Sequence, residues 1–250
     1  MTGFAIDRRD LLAAGAVLGA GAALAAGAGP ALAQGTGAQG TGAPGAAAPV
    51  RAAYTPQPVP LPFDPKTIPG LSEKLLTSHH DNNYAGAVKR IAAIGAQLAA
   101  LDPATAPGFL LNGLKREELI ATNSMILHEL YFANLGALGG PSVKLAAMIE
   151  RDFGSMARWQ AEFSGLGKAL GGGPGWVVLQ YSHRDKRLVN QWANDHTMAL
   201  AGATPLLVLD MYEHAYAMDY GSKAAAYVDA VMAAINWNVV SGRFGWAAEE

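Results

Sequence analysis

The segment LDMYEHAYAMDY, residues 209–220, carries a carboxylate and an imidazole four residues apart. Asp210 ends the apolar run PLLVL, and His214 follows it directly after the acidic Glu213. Burying a lone carboxylate costs several kcal/mol unless it is paired or bound to a cation. The segment contains no lysine or arginine. A metal ion is therefore the simplest partner for Asp210, and His214 can ligate the same ion.

Other histidines lie upstream in apolar, helix-like surroundings. His128 stands within NSMILHELYFANL, and His79 and His80 are adjacent in an earlier segment. Taken alone, each is more often a core or surface residue than a ligand. One histidine from each segment, added to Asp210 and His214, gives three nitrogens and one anionic oxygen. This set suits a first-row transition metal rather than calcium or magnesium, and zinc, iron and manganese all accept it.

The elements that must position these residues predict an α+β fold, in which an N-terminal α-helical hairpin precedes an α/β domain with a three-stranded antiparallel sheet. Helices are predicted over residues 72–101 and from about 115 to 135, followed by two shorter helices in SVKLAAMIERDF and MARWQAEFSGLGKAL. Two strands flank the turn SHRDK, PLLVL is a third, and a helix over residues 222–236 closes the chain. The predicted domains are residues 63–137 and 138–250.

The first 62 residues have a composition unlike that of a packed domain. Residues 1–33 are predicted to be an export signal, because Arg8 and Arg9 precede an Ala- and Gly-rich apolar stretch that ends in ALAQ. The arginine pair resembles a twin-arginine signal, so we expect cleavage near Ala33 and Gln34, a periplasmic product and no stable membrane association afterwards. The alternative is a transmembrane anchor. Residues 34–62 are predicted to be a Gly/Ala/Pro-rich linker.

Composition limits the remaining function classes. The 250 residues are 51% hydrophobic and 15% charged, with a net charge of -2, which is enough apolar material for a substantial core. No basic run or patch is present, so nucleic acid is not an expected partner. The absence of cysteine excludes thiolate metal sites, cysteine nucleophiles and disulfides.

The segment TPLLVLDMYEHAYAMDY resembles the D-x-W-E-H-A-Y…D-Y signature of iron/manganese superoxide dismutases. FGSMARWQAEF, GGPGWVVL and INWNVVSGRF occur in the family's order, and the likeness extends from about residue 71 to residue 244. The resemblance implies one iron or manganese ion per subunit. It also implies conversion of superoxide to dioxygen and hydrogen peroxide by cycling between M(III) and M(II).

The resemblance assigns the metal ligands to His79, His128, Asp210 and His214. His79, rather than His80, follows from a gap-free match through NNYAGAVKRI. Helical periodicity favours the opposite choice, because His80 lies about three whole turns before Ile91 and so shares the apolar face of a regular helix. A bulge in the helix would reconcile the two.

Further residues take roles by resemblance. His196 matches the later of two positions at which the family places a partner for the solvent molecule at the metal, although a one-residue slip would place Asp195 there. Ser124 occupies the earlier position and cannot fill that role. Trp176 matches an aromatic wall of the pocket, and Tyr212 stands where most members carry tryptophan.

Glu213 resembles the family residue that reaches a ligand histidine of a twofold-related subunit, which implies a homodimer. His183, in the turn between the two predicted strands, is expected to have no role in the site.

Two positions depart from the family pattern. Ala87 and Asn83 stand where the family usually has a gateway tyrosine and a neighbouring histidine, and nearby Tyr84 would point elsewhere on a straight helix. This departure concerns proton delivery and substrate access, not metal binding. It motivates an alternative function, a metal-binding protein of the same fold with weak or no dismutase turnover. A scaffold whose histidines serve only the core, with no metal, is the remaining alternative.

Overall fold

The computed structural model of the protein describes residues 52–136 and 139–249. The predicted export signal, its cleavage site and residues 34–51 of the predicted linker lie outside the described residues. The predicted domain boundary falls at residues 137 and 138, which are also outside them. Within the described ranges, no helix combines the length and apolar character needed to cross a bilayer.

The predicted helical hairpin is confirmed, with one interruption. Helix α1, Glu73–Ser78, begins at Ser72, whose side-chain oxygen accepts the N–H of Leu75. A π-helical turn, His79–Tyr84, follows it and leads into α2, Ala85–Ala100. Helix α3, Gly108–Ala133, begins earlier than predicted, directly after Pro107, and packs against α2.

Two capped helices connect the hairpin to the sheet. Helix α4, Val143–Phe153, has Ser142 as its N-cap and ends at Gly154, whose φ of 86° is in the left-handed region that glycine tolerates. Helix α5, Met156–Ala169, begins at the N-cap Ser155. Both match the helices predicted from sequence.

The predicted three-stranded antiparallel sheet is also confirmed. It comprises β1, Trp176–Ser182, β2, Arg187–Ala193, and β3, Ala203–Asp210, in the order β2-β1-β3. Strand β1 lies in the centre and is buried along its whole length, as expected for a strand covered on both faces. Its register sets Trp176 opposite Asp210, so both residues lie at one end of the sheet.

The chain closes with two helices of substantial length, although the sequence predicted one. A 3₁₀ turn, Glu213–Ala215, and the short α6, Ala217–Tyr220, precede α7, Ala224–Ala233. Helix α8, Trp237–Glu249, follows after a bridge between Leu135 and Ile235. The prediction of a helix over residues 222–236 therefore places the end of the helix wrongly. Helix α7 stops at Ala233, because Ile235 pairs with Leu135 at the end of α3.

The final part of the predicted linker, residues 52–62, is here called the N-terminal strap. It contains no helix or strand, and it contacts α2 and the π-helical turn of the helical hairpin. At Gly95 of α2 the approach is close, since a Cβ built on that glycine would lie 2.6 Å from the carbonyl oxygen of Tyr54. The strap also forms hydrogen bonds to the π-helical turn through Val59.

Candidate metal centre

Three imidazoles surround one carboxylate oxygen in the interior of the protein. The Oδ2 atom of Asp210 lies 3.1 Å from Nε2 of His79, 3.3 Å from Nε2 of His214 and 3.6 Å from Nε2 of His128. One potential ligand atom from each of the four residues lies within 4.8 Å of every other. The structure thus brings together the four residues that the sequence analysis assigned as ligands.

The π-helical turn decides which of the two adjacent histidines faces this cluster. His79 is 1% exposed and lies in the cluster, whereas the Nε2 atom of His80 faces the carbonyl oxygen of Val59 at 2.9 Å. A π turn has i→i+5 hydrogen bonds and accommodates an extra residue, which rotates the residues before it relative to those after it. The periodicity argument for His80 assumed a regular helix and is therefore wrong for this segment.

The backbone of helix α3 determines which ring nitrogen of His128 carries the proton. Its Nδ1–H donates to the carbonyl oxygen of Ser124, 2.6 Å away, and this bond leaves the lone pair of Nε2 facing Asp210. Burial lowers the pKa of His128 to about 3, and burial also lowers the pKa of His79. Both rings are therefore neutral near pH 7, as metal ligation requires.

Asp210 ends β3 with its carboxylate completely buried. Burial raises the pKa of this carboxyl, but hydrogen bonds from His214 and His79 more than offset that effect and hold the pKa below its usual range. The N–H of Tyr212 donates to Oδ1 at 2.8 Å, which leaves Oδ2 for the histidines. Within the described ranges, Asp210 forms ion pairs with histidines but with no lysine or arginine.

This donor set fits a transition-metal ion. Three imidazole nitrogens and one carboxylate oxygen converge in a site that a buried anion makes favourable for a cation. Calcium and magnesium prefer sites built mainly from oxygen atoms. The Nδ1 atom of His79 is buried and has no hydrogen-bond partner among the described residues, so packing against Tyr131 and Phe132 and the contact of Nε2 set the orientation of this ring.

Sequence reasoning missed Tyr227, a residue that supports the backbone of Asp210. Tyr227 of α7 is fully buried, and its hydroxyl donates to the backbone carbonyl of Asp210 at 2.8 Å. The hydroxyl of Tyr131 lies 3.1 Å from that of Tyr227 and links the arrangement to α3. A tyrosine in the alanine-rich segment AAAYVDAV gives no local signal for such a role.

His196 lies beside the cluster with its tautomer set by Trp176. The indole N–H of Trp176 donates to Nδ1 of His196 at 3.0 Å, so the proton of a neutral His196 ring resides on Nε2. The ring of Tyr212 stacks on His196, with centroids 4.9 Å apart and planes 9° apart. The alternative residue, Asp195, instead accepts hydrogen bonds from the backbone and the hydroxyl of Thr197.

An open cleft of about 310 Å³ reaches His196 from the surface between α2 and α3. Asn83 and Ala87, the positions that depart from the family pattern, both line it, and among the described residues no phenylalanine, tyrosine or tryptophan does. Its lining residues are Asn82, Asn83, Gly86, Ala87, Arg90, Ile120, Ala121, Ser124 and His196. Tyr84 points away from it, since its hydroxyl bonds to Val59 and Glu129.

The two remaining residues singled out from sequence lie outside this core. Glu213 is exposed at the protein surface, next to His214, whose side chain is 26% exposed. His183 lies in the turn between β1 and β2, where its Nε2 is 2.7 Å from the hydroxyl of Thr204.

Comparison with known proteins gives consistent matches. Residues 141–243 match the family described as iron/manganese superoxide dismutases, C-terminal domain. A "Superoxide dismutase [Fe]" of Cupriavidus metallidurans is 65% identical over 76% of this chain and 97% of its own length. A "Superoxide dismutase [Mn] 1" of Halobacterium salinarum is 34% identical over 76% of this chain and 95% of its own. A "Superoxide dismutase [Fe]" of Aquifex pyrophilus is 35% identical over 72% and 87%.

Proposed function

The chain belongs to the iron/manganese superoxide dismutase family, and we propose that it converts superoxide to dioxygen and hydrogen peroxide at one iron or manganese ion. The observation that carries this proposal is the convergence of three histidine Nε2 atoms on one oxygen of a completely buried carboxylate. The ion would be held by His79, His128, Asp210 and His214.

When bound, the ion supplies the one-electron chemistry, accepting an electron from one superoxide and giving it to a second. The protein's residues supply charge, geometry and protons. Asp210 contributes a negative charge that helps to stabilise the oxidised ion, and His79 and His128 contribute neutral nitrogens.

Proton supply is the second requirement, because two protons enter each molecule of hydrogen peroxide. His196 holds a proton on Nε2, fixed there by the bond from Trp176 to Nδ1. Burial lowers the pKa of His196, so the neutral ring, with this single donor, predominates near pH 7. The cleft of about 310 Å³ gives superoxide and water a route to this donor. His196, Trp176 and Tyr212 are therefore proposed as the residues that position the substrate, with the Nε2–H of His196 as the hydrogen-bond donor and water from the cleft as the source of protons.

Loading the mature chain separately with iron, manganese and zinc tests the proposal. We expect iron, manganese or both to accelerate the decay of superoxide, measured by stopped-flow absorbance. Zinc is the control, because it accepts the same ligands but has no second accessible oxidation state. Acceleration by the zinc form, or by none of the three, would contradict the proposed function.

The second candidate function is a metal-binding protein with weak or no turnover, and the cleft favours it at one point. Asn83 and Ala87 leave the approach to His196 without an aromatic gateway. The same experiment separates the candidates. Stoichiometric iron or manganese without faster superoxide decay would identify metal binding as the function.

A homodimer is also proposed, and Glu213 supports it. This carboxylate is exposed beside the partly exposed His214, where it is free to reach a second copy of the chain. Sedimentation velocity should detect a dimer that Glu213→Ala weakens. Glu150→Ala, which removes an exposed carboxylate from α4, should leave the sedimentation coefficient unchanged. A monomeric parent chain would contradict the proposal.

We further propose that the chain is exported and processed near Ala33 and Gln34. The support comes from sequence, namely Arg8 and Arg9 ahead of an apolar stretch that ends in ALAQ. N-terminal sequencing of the protein recovered from the periplasm should find Gln34 at the start. Replacing both arginines with lysine should keep the protein in the cytoplasm, and export unaffected by this change would exclude the twin-arginine route.

A further inference from the structure

The N-terminal strap forms two hydrogen bonds to the π-helical turn through a single residue. The backbone N–H of Val59 donates to the hydroxyl of Tyr84 at 2.8 Å. The backbone carbonyl of Val59 accepts from Nε2 of His80 at 2.9 Å. His80 and Tyr84 stand four positions apart in the turn, and their rings are in contact, with centroids 5.1 Å apart. One residue of the strap therefore spans almost the whole π-helical turn.

Tyr84 extends this connection to α3. Its side chain is buried, and its hydroxyl donates to Oε1 of Glu129 at 2.9 Å while accepting the bond from Val59. Burial raises the pKa of Tyr84 to about 12, so the hydroxyl keeps the proton that it donates. Glu129 is the residue after His128. The hydroxyl thus joins the strap, the π-helical turn that carries His79, and the stretch of α3 that carries His128.

A π-helical turn needs such support because it is less favourable than a continuous α-helix and is found mostly as isolated turns at functional sites. In this chain the alternative register has a specific consequence. A regular helix would place His80, not His79, on the buried face. Contacts that hold His80 outward against Val59 therefore also hold His79 inward towards Asp210.

We propose that the N-terminal strap is a positioning element of the metal site, in which Val59 holds the π-helical turn, through His80 and Tyr84, in the register that directs His79 at the ion. This proposal rests on the proposed function in one respect, that the cluster binds a metal. It adds that metal retention depends on a segment that contributes no ligand. Weakening the strap should loosen one of four ligands and accelerate release of the ion.

Val59 offers a matched pair of variants. Val59→Pro removes the backbone N–H and thus the bond to Tyr84. Pro58 and Pro60 already flank this position and favour an extended backbone, so a third proline fits the same conformation. Val59→Ala keeps the N–H and both backbone bonds, and it shortens a side chain that is already half exposed. The two variants differ in the one donor that the proposal requires.

A second pair of variants consists of one that displaces the strap at Tyr54, away from the cluster, and one that serves as its control. Gly95→Ala places a Cβ where only 2.6 Å separates it from the carbonyl oxygen of Tyr54, so the strap must move away from α2. Gly113→Ala is the control for this variant, because it adds the same methyl group to α3 at a position where no atom of the described residues lies within 4 Å. Both changes exchange glycine for alanine within a helix, so their effects on helix propensity are similar.

Three measurements on the iron-loaded mature chain test the proposal. They are the rate of iron release to an excess of chelator, the absorption spectrum of the ferric protein, and the unfolding midpoint of the metal-free protein. Val59→Pro and Gly95→Ala should each release iron about 10-fold faster than their partners, the scale found when groups that orient metal ligands are lost. The ferric spectrum should shift in these two variants only.

Equal iron release and equal spectra within both pairs would overturn the proposal. A lower unfolding midpoint of the metal-free protein, with release and spectrum unchanged, would show a purely structural strap and would overturn it as well. A parent chain that retains neither iron nor manganese would instead contradict the proposed function, and the strap would then have no metal site to position. Failure of the strap proposal is thus distinguishable from failure of the proposed function.

Discussion

At the scale of single residues, the chemistry depends on which atoms carry protons. The Nδ1–H of His128 is committed to the Ser124 carbonyl, and Nδ1 of His196 accepts from Trp176. The first bond exposes a lone pair to the cluster, whereas the second leaves an N–H donor beside it. These two histidines, whose ring centroids lie 6.5 Å apart, thus have opposite roles because their Nδ1 atoms meet an acceptor in one case and a donor in the other.

His196→Ala tests the role of the donor. Metal content should stay the same, because His196 is not among the four clustered residues. Turnover should fall by about 100-fold, within the range for loss of a positioned hydrogen-bond donor, and the reduction potential of the ion should shift. Steady-state superoxide decay and a redox titration measure the two effects. His183→Ala, in the turn between β1 and β2, is the control, and unchanged turnover and potential in His196→Ala would refute the role.

The buried histidines also predict how stability depends on pH. The pKa of His128 is about 3 in the folded protein, against about 6.5 in an unfolded chain. Below pH 6.5 the unfolded state therefore binds more protons, and the free energy of unfolding falls as pH falls towards 3. The lowered pKa values of His79 and Asp210 act in the same direction.

For His128 alone, the metal-free protein should lose about 2 to 3 kcal/mol between pH 6.5 and pH 4.5. Urea unfolding at the two pH values measures the difference. Iron- or manganese-loaded protein should be more stable than the metal-free form at pH 6.5 and should lose its metal on acidification. A free energy of unfolding that is constant between the two pH values would contradict the burial of neutral histidines.

At the scale of secondary-structure elements, the sheet register and the π-helical turn place the site. Strand β1 pairs with β3 so that Trp176 faces Asp210, and the aromatic wall and the carboxylate therefore reach the same end of the sheet. The turn preceding Trp176 depends on Gly175, which has a φ of 152°. A Cβ there would lie 2.5 Å from the carbonyl oxygen of Ala193.

Gly175→Ala should therefore destabilise the protein by about 2 kcal/mol or more, because the strained φ and the backbone contact leave no room for a methyl group. Gly165→Ala in α5 meets no atom within 4 Å in the part of the chain that the structure describes, and it should be neutral or stabilising by up to about 1 kcal/mol. Urea unfolding of the metal-free variants measures both. A Gly175→Ala protein as stable as the parent would contradict the described backbone conformation at Gly175 and its close contact with Ala193.

The sequence predicted most elements, and its errors have identifiable causes. Capping serines and glycine breaks marked α4 and α5, because the capping hydrogen bonds of Ser142 and Ser155 reach only three residues along the chain. The π-helical turn depends on contacts such as Tyr84 with Glu129, 45 residues apart, which no local periodicity contains. In α8, Ser241, Gly242 and Gly245 lower helix propensity, and the helix is stabilised instead by packing of Val240 and Phe244.

At the scale of the whole molecule, the fold brings together residues 135 positions apart in the chain. His79 and His128 come from the helical hairpin, whereas Asp210 and His214 come from the end of the sheet and the turn after it. Residue types and burial arguments from sequence predicted a metal site and its donor set. The convergence itself required either a family resemblance or the structure, because the spacing of distant segments does not specify a distance in space.

Anomalous X-ray diffraction from crystals of the metal-loaded protein, collected above and below the iron or manganese absorption edge, tests the central claim most directly. We predict one strong peak per chain, within about 2.0 to 2.2 Å of Nε2 of His79, His128 and His214 and of Oδ2 of Asp210, a typical range for nitrogen and oxygen ligands of a transition metal. A peak coordinated by His80, a peak elsewhere in the chain or the absence of any peak from loaded protein would contradict it.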